Sequence, residues 1–415
     1  MEIIKQKYTN GVRSLSVLTS DTQAVTIMFL VKVGSRYENP AEEGLAHFVE
    51  HTLFKGTNKR PSSKQIGMEI ESLGGTSNAF TSYDYTGYYI KAPAINFVES
   101  FEILADMFKN SQFSQDEIAK ERGVIIEEIK MYEDRPTSKV AEAWSRNFFQ
   151  NSTLGLEITG TIDSVKQMKQ QQFFDFMAKH YYGENVLIVI AGNVDQTIVE
   201  KLINDNCSDI PAQADRVTSA FAPFKFEQDP NRKKYLKIIK DVEQTHVILG
   251  GLAINRNDPR RFALQVANTI LANGFGSRLF QVIRDELGLA YYIYSRLANY
   301  EDTGVFQIGL GVDSTRVEEA INAVKKELTS ITNGDFTDAE FRRAKNYLLG
   351  NLITELETSE DIASYYGMQD LLQTERLTIA EVKEKILSIS LNDIHEICAE
   401  LFFEDNYHLA VLAKN

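Results

Sequence analysis

Gly44-Leu-Ala-His-Phe-Val-Glu-His-Thr-Leu-Phe-Lys-Gly56 places three chemically able side chains within five residues. On a helix advancing about 100° per residue, Glu50 and His51 fall about 60° behind and 40° ahead of His47, so all three share one narrow face. Leu45, Phe48, Val49, Thr52 and Leu53 take the opposite side, which lets such a helix bury its back and present polar atoms forward. Two imidazoles four apart are the usual helical way to hold Zn²⁺, with a nearby glutamate free to take a proton from water. The order His-x-x-Glu-His inverts the commoner His-Glu-x-x-His. The plain alternative is a solvated surface pair, but the chain has only six histidines, and composition alone yields this pattern in on the order of one in a hundred such chains. A metal site here requires a third ligand elsewhere.

Ser114-Gln-Asp-Glu117 is a capping box that opens a helix running to about Tyr132. Ile118, Val124, Ile125 and Ile129 form its apolar stripe. Glu121 and Glu128, seven apart, project along that stripe, whereas Lys120, Glu127 and Lys130 point elsewhere. A carboxylate in an apolar stripe is costly unless paired or metal-bound, and the alternative is a rim position that reaches water. Two His and one carboxylate, with a fourth position open, form a catalytic zinc set. Cys207 and Cys398 lie in no local metal pattern, so a carboxylate is the better candidate for the third ligand.

On these residues the chain resembles the pitrilysin/insulinase metallopeptidases, and in particular the two-domain type of the mitochondrial processing peptidase subunits. His47-x-x-Glu50-His51 is followed 77 residues later by Glu128. Glu121 takes the place of the family's auxiliary acid, and Glu121-Arg-Gly-Val-Ile-Ile-Glu-Glu-Ile-Lys-Met131 is similar to the pattern around that ligand. The resemblance covers essentially the whole chain. It implies one Zn²⁺ per chain, bound by His47, His51 and Glu128, with Glu50 as the catalytic base and Glu121 supporting the ligand shell.

A chain of 415 residues is too long for one ordinary core and implies at least two domains. A net charge of −14 argues against nucleic acid and against anionic membranes as partners; spread along the chain, it also suits plain solubility. Two cysteines 191 positions apart are no disulfide framework and fit reduced thiols in the cytoplasm. The first residues, Met1-Glu-Ile-Ile-Lys-Gln-Lys7, read as a strand and not as an apolar leader. No run approaches the length of a membrane span.

The first half opens with a hairpin over 5–17 around Asn10-Gly11. A strand over 24–33 follows, then a helix start at Asn39-Pro40 and the metal helix. Strands are expected at 75–82, 85–92 and 186–191, and helices at 95–109 and 114–132. Residues 211–234, with Pro211, Pro223 and Pro230, read as a linker. The division is therefore 1–210, a zinc-binding domain, and 235–415, a domain without metal. Beyond the linker the order of elements repeats: a strand at 245–252, a helix at 260–273, Thr303-Gly-Val-Phe echoing Thr86-Gly-Tyr-Tyr, and Phe336-Thr-Asp-Ala-Glu340 echoing Phe113-Ser-Gln-Asp-Glu117. Four echoes in one order favour duplication over loose coincidence. Laid on the first half, the second has Gln265, Asn268 and Thr269 in place of His47, Glu50 and His51, and Ala344 and Asn351 in place of Glu121 and Glu128. It keeps the scaffold without the ligands. The resemblance implies the same fold class: α+β, two similar domains, each an antiparallel sheet with helices on one face.

Gly276-Ser-Arg-Leu-Phe-Gln-Val-Ile-Arg284-Asp-Glu-Leu-Gly-Leu-Ala-Tyr291 reads as a helix over 278–287 that ends at Gly288 and enters a strand near Tyr291. The residues alone suggest a surface salt bridge from Arg284 to Asp285 or Glu286 and a core role for Tyr291. The resemblance implies instead that this pair reaches over a zinc site to stabilise an oxyanion or hold the substrate backbone. The Gly274-Phe-Gly276 turn lacks phosphate-loop context. Ser77-Asn-Ala-Phe-Thr81 is similar to the family's edge strand, which implies substrate binding through Ser77, Asn78, Ala79, Phe80 and Thr81 by strand addition; taken alone it is an ordinary strand.

The expected activity is a zinc-dependent endopeptidase that cleaves short unfolded peptides inside an enclosed chamber. The alternatives are a processing peptidase dedicated to one precursor, a non-catalytic substrate-binding subunit, and a thioether-cleaving enzyme sharing His-x-x-Glu-His, which would complete its site with Cys where this chain offers Glu128. Larger relatives carry the Arg/Tyr pair in a fourth domain. A two-domain chain carrying both motifs is therefore expected to act as a homodimer whose active site is completed by the partner chain.

Overall fold

The computed structural model describes residues 1–212, 221–226 and 231–414. Of the expected linker, 213–220 and 227–230 lie outside the described residues. The chain forms two compact units that interleave along the sequence. The first comprises Met1–Met131, Leu156–Ala222 and Leu356–Arg376, the second Tyr132–Gly155, Pro223–Glu355 and Leu377–Asn415.

The first unit is built on six strands: β1 (Glu2–Lys7), β2 (Arg13–Leu18), β3 (Ala24–Val31), β4 (Thr76–Thr81), β5 (Thr86–Pro93) and β6 (Val186–Gly192). Their order is β1-β2-β6-β3-β5-β4, and every pairing is antiparallel except β2 with β6. The β1–β2 hairpin turns at Gly11, whose φ of +89° only glycine takes readily. β6, and β3 apart from the buried Thr26, read as apolar runs because both faces of the sheet are covered. On one face Ile27, Phe29 and Val31 meet Phe48 and Leu53 of the metal helix, Phe101 and Phe108 of the helix Phe97–Asn110, and Ile125 of the helix Gln115–Asp134. On the other face, Leu15, Met28, Leu30, Leu187 and Val189 are closed by Ala363, Tyr366 and Leu371 of the helix Ser359–Leu372. That helix sits so close that a Cβ on Gly367 would lie 2.9 Å from both Leu30 and Val189.

The second unit has five strands: β7 (Tyr235–Ile239), β8 (Thr245–Ala253), β9 (Ala290–Asn299), β10 (Gly304–Val312) and β11 (His408–Ala413), in the order β7-β11-β8-β10-β9. This is the order β2-β6-β3-β5-β4 again, and its one parallel pair, β7 with β11, falls where β2 pairs β6. The duplication suggested by four short echoes is thus a repeat of whole-sheet topology, with β1 the added strand. Val266 and Ile270 of the helix Arg261–Ala272, with Val324, Leu328 and Ile397, cover Val247, Leu249 and Ile308 on one face. The other face is closed by the helix Pro136–Phe148, whose Trp144 indole donates to the carbonyl of His408 (2.9 Å).

The fold is α+β, with two similar sheets each bearing its helices. Each sheet's second face is covered by one helix drawn from the opposite half of the sequence. The segment expected as an α-helix over 278–287 is a π-helix at Phe280–Glu286: Leu287 N–H reaches back five residues to Val282 O (3.0 Å), a widening that hydrophobic spacing does not encode. Among the described residues, no helix is long and apolar enough to cross a membrane.

Candidate metal centre

The metal helix is Leu45–Leu53. It starts at Gly44, which has φ +94° and approaches Gly160 and Thr159 so closely that a Cβ would lie 2.7 Å from their backbone. Glycine offers no side chain to cap the helix, and Glu38 supplies the cap from outside. Its Oε2 accepts from Gly44 N (2.8 Å) and its Oε1 from Ala46 N (2.6 Å). Burial pushes the Glu38 carboxyl well up, while the two N–H bonds pull it down. Leu45, Phe48, Val49 and Leu53 bury the back of the helix, which turns His47, Glu50 and His51 forward, as their spacing requires.

The forward atoms converge. His47 Nε2 lies 3.7 Å from Glu128 Oε2, and His51 Nε2 lies 3.6 Å from the same oxygen. One ligand atom from each of the three residues falls within 4.8 Å of the others. A tetrahedral zinc with arms of about 2.1 Å needs ligand atoms about 3.4 Å apart, so the two measured edges fit. The chemistry of the donors fits as well. Burial first, and the neighbouring His51 second, push His47 down to about 3, leaving a neutral imidazole. His51 Nδ1 lies 2.9 Å from Glu121 Oε1. Burial lowers His51, but that bond and the carboxylates of Glu50, Glu121 and Glu128 prevail and raise it. In the neutral ring with the proton on Nδ1, Nε2 has its lone pair free for a metal. Glu121 Oε2 is held in turn by Lys55 Nζ at 2.7 Å. Burial works to raise the Glu121 carboxyl, but the bonds from His51 and Lys55 prevail and hold it below the usual range. His47 Nδ1 is buried with no partner among the described residues.

Glu50 stands beside this cluster, and its Oε2 accepts from Thr81 Oγ1 (2.6 Å). Burial raises its carboxyl above the ordinary value against the pull of Thr81 and His51. A carboxylate so placed is poised to accept a proton nearer neutrality.

The strand containing Ser77, Asn78, Ala79, Phe80 and Thr81 is β4, an edge strand paired only with β5. Thr76, Ser77 and Asn78 are exposed and the remainder half-buried. Asn78 Oδ1 accepts from its own neighbour, Ala79 N (2.9 Å). Arg284 and Tyr291 belong to the second unit. Arg284 is exposed on the π-helix with its guanidinium over the Phe280 ring (4.9 Å), and it forms no ion pair with Asp285 or Glu286. Tyr291 is the second residue of β9 and is 73% exposed, so it is no core aromatic. At the matching helix of the second unit, Asn268 Oδ1 accepts from Ser295 Oγ of β9 (2.6 Å) and Thr269 Oγ1 donates to Gln265 O (2.8 Å). Among the described residues the only metal-capable cluster is His47, His51 and Glu128.

Sequence reasoning missed Glu38, Lys55 and the bond from Thr81 to Glu50. Glu38 acts across a turn, Lys55 reaches Glu121 on a helix 66 positions later, and Thr81 acts from a strand 31 positions away; no periodic signal marks such partners.

A protease from Helicobacter pylori superposes over 100% of this chain and 99% of its own, with a TM-score of 0.92 at 23% identity. A structure from Pseudomonas fluorescens described as a peptidase M16 inactive domain matches with a TM-score of 0.90 at 19% identity, over 100% of this chain and 99% of its own. These likenesses establish the class, the two-domain M16-like fold. The family model "Insulinase (Peptidase family M16)" matches residues 14–162, and that of the "Peptidase M16 inactive domain" matches 167–348. An uncharacterized zinc protease of Rickettsia bellii is 35% identical, covering 99% of this chain and 97% of its own; another, of Bacillus subtilis, is 31% identical over 99% and 98%. The chain belongs to the insulinase family, peptidase family M16.

Proposed function

We propose that the protein is a zinc-dependent endopeptidase acting on short unfolded peptides. The observation that carries this reading is the convergence of His47, His51 and Glu128 within 4.8 Å, with Glu50 beside them on the same helix. His47, His51 and Glu128 hold the metal. Zinc, when bound, supplies Lewis acidity to a water and to the scissile carbonyl. Glu50 takes the water's proton at Oε1, the oxygen not engaged by Thr81, and hands it to the leaving amine. Glu121 orients His51. β4 offers an open edge to an extended peptide, whose backbone supplies affinity with little demand on side chains. Arg284 and Tyr291, both exposed donors, suit an oxyanion, and we assign them to the active site of a partner copy in a homodimer. Two free cysteines, Cys207 and Cys398, suit the reducing cytoplasm.

The test separates base from ligand. Glu50→Gln retains zinc while peptide cleavage falls by about 10³-fold or more; His51→Ala and Glu128→Ala lose the metal. Zinc loss in Glu50→Gln equal to that in His51→Ala would show the assignment to be wrong. The homodimer is tested by mixing Glu50→Gln with Tyr291→Phe chains: each alone is impaired, and mixed dimers regain one intact site. No recovery despite demonstrated subunit exchange rules out sharing between copies.

A further inference from the structure

Lys55 lies two residues beyond the end of the metal helix, and its root is fixed. Its N–H donates to Thr52 O (3.1 Å), and the next residue, Gly56, turns the chain at φ +147°, where a Cβ would lie 2.9 Å from Pro61 O. From there its ammonium reaches Glu121 Oε2 at 2.7 Å, its one ion pair among the described residues. Glu121 is 6% exposed. One of its oxygens faces His51 Nδ1 and the other faces Lys55, so the carboxylate cannot rotate without breaking a charge-assisted bond.

We propose that Lys55 is a positioning residue for the metal: by holding Glu121 Oε2 it fixes the carboxylate that keeps the His51 proton on Nδ1 and aims Nε2 at zinc. This rests on the reading of His47, His51 and Glu128 as zinc ligands. Without the ammonium, Glu121 retains a buried oxygen with no donor, and its best relief is to turn away from His51. The sign of the effect separates this role from a general charge effect. A cation near Zn²⁺ repels it, so if Lys55 acted only through space, its removal would tighten zinc binding. Acting through Glu121, its removal loosens zinc.

The experiment measures zinc affinity on the full chain by competition with a chelator. The proteins are wild type, Lys55→Met, Lys55→Arg, Glu121→Gln and the Lys55→Met/Glu121→Gln double variant. Lys55→Met is expected to weaken zinc about 10- to 100-fold, the range for partners of metal ligands, and Lys55→Arg to restore most of it. In the Glu121→Gln background, Lys55→Met adds no further loss, because the two act in series. Unchanged or tighter zinc in Lys55→Met overturns the proposal, as does a full additional loss in the double variant or an arginine that restores nothing. A wild-type chain that takes up no zinc overturns instead the metal reading on which the proposal stands.

Discussion

At Glu38, a carboxylate inside the protein has given up water for two backbone N–H groups, Gly44 N and Ala46 N, at the positive end of a nine-residue helix. Such a helix is too short to be stable alone, so its direction depends on what holds its ends. Glu38→Ala leaves two buried donors unpaired and is expected to lower unfolding stability by about 2–4 kcal/mol in urea titrations. A loss under about 0.5 kcal/mol would mean that packing alone sets this helix. At this scale the sequence was legible wherever a single helix sets the geometry: the angles of His47, Glu50 and His51 follow from local winding. The spacing of Glu121 and Glu128 singled them out, but their separate roles depend on which lies over His51 Nδ1, a tertiary fact. Glu38 was invisible because its partners lie across a turn, and Lys55 because its partner, Glu121, lies 66 positions away on another helix.

At the scale of elements, β3 and β6 were readable as strands because buried runs punctuated by turn residues have few other uses. The π-helix was not, since one wider turn leaves the apolar pattern of Leu279 and Ile283 intact. β11 carries a consequence at its first residue. His408 is 2% exposed, edge-on to Phe148 (5.1 Å), and burial first, then Lys234, push it down to about 4. The unfolded chain protonates this residue at about 6.5. As pH falls below that value, the unfolded state gains a proton that the folded state refuses, and stability drops until about pH 4. By pH 5 the loss reaches up to about 2 kcal/mol from this one group. His408→Gln should flatten that part of the stability curve; a variant curve parallel to wild type between pH 6.5 and 5 would show that other groups set the acid limit.

At the scale of the molecule, the two halves were legible as repeats, but the exchange of their covering helices was not. An apolar sheet face reads the same whichever helix covers it. A fragment of residues 1–210 lacks the helix Ser359–Leu372, so Leu15, Met28, Leu30, Leu187 and Val189 stand bare as a contiguous apolar patch. It is expected to bind a hydrophobic dye and to aggregate, and co-expression with 211–415 is expected to rescue it. A fragment that is monomeric, dye-silent and melts cooperatively would contradict this. The exchange also sets an order of events during synthesis. The six strands of the first unit, with His47, His51 and Glu128, all precede residue 193, yet the unit's last segment ends at Arg376. Until that segment has been made, the sheet behind the helix Leu45–Leu53 waits half-covered, so the first unit reaches its final form only after β7 to β10 of the second unit have been synthesised.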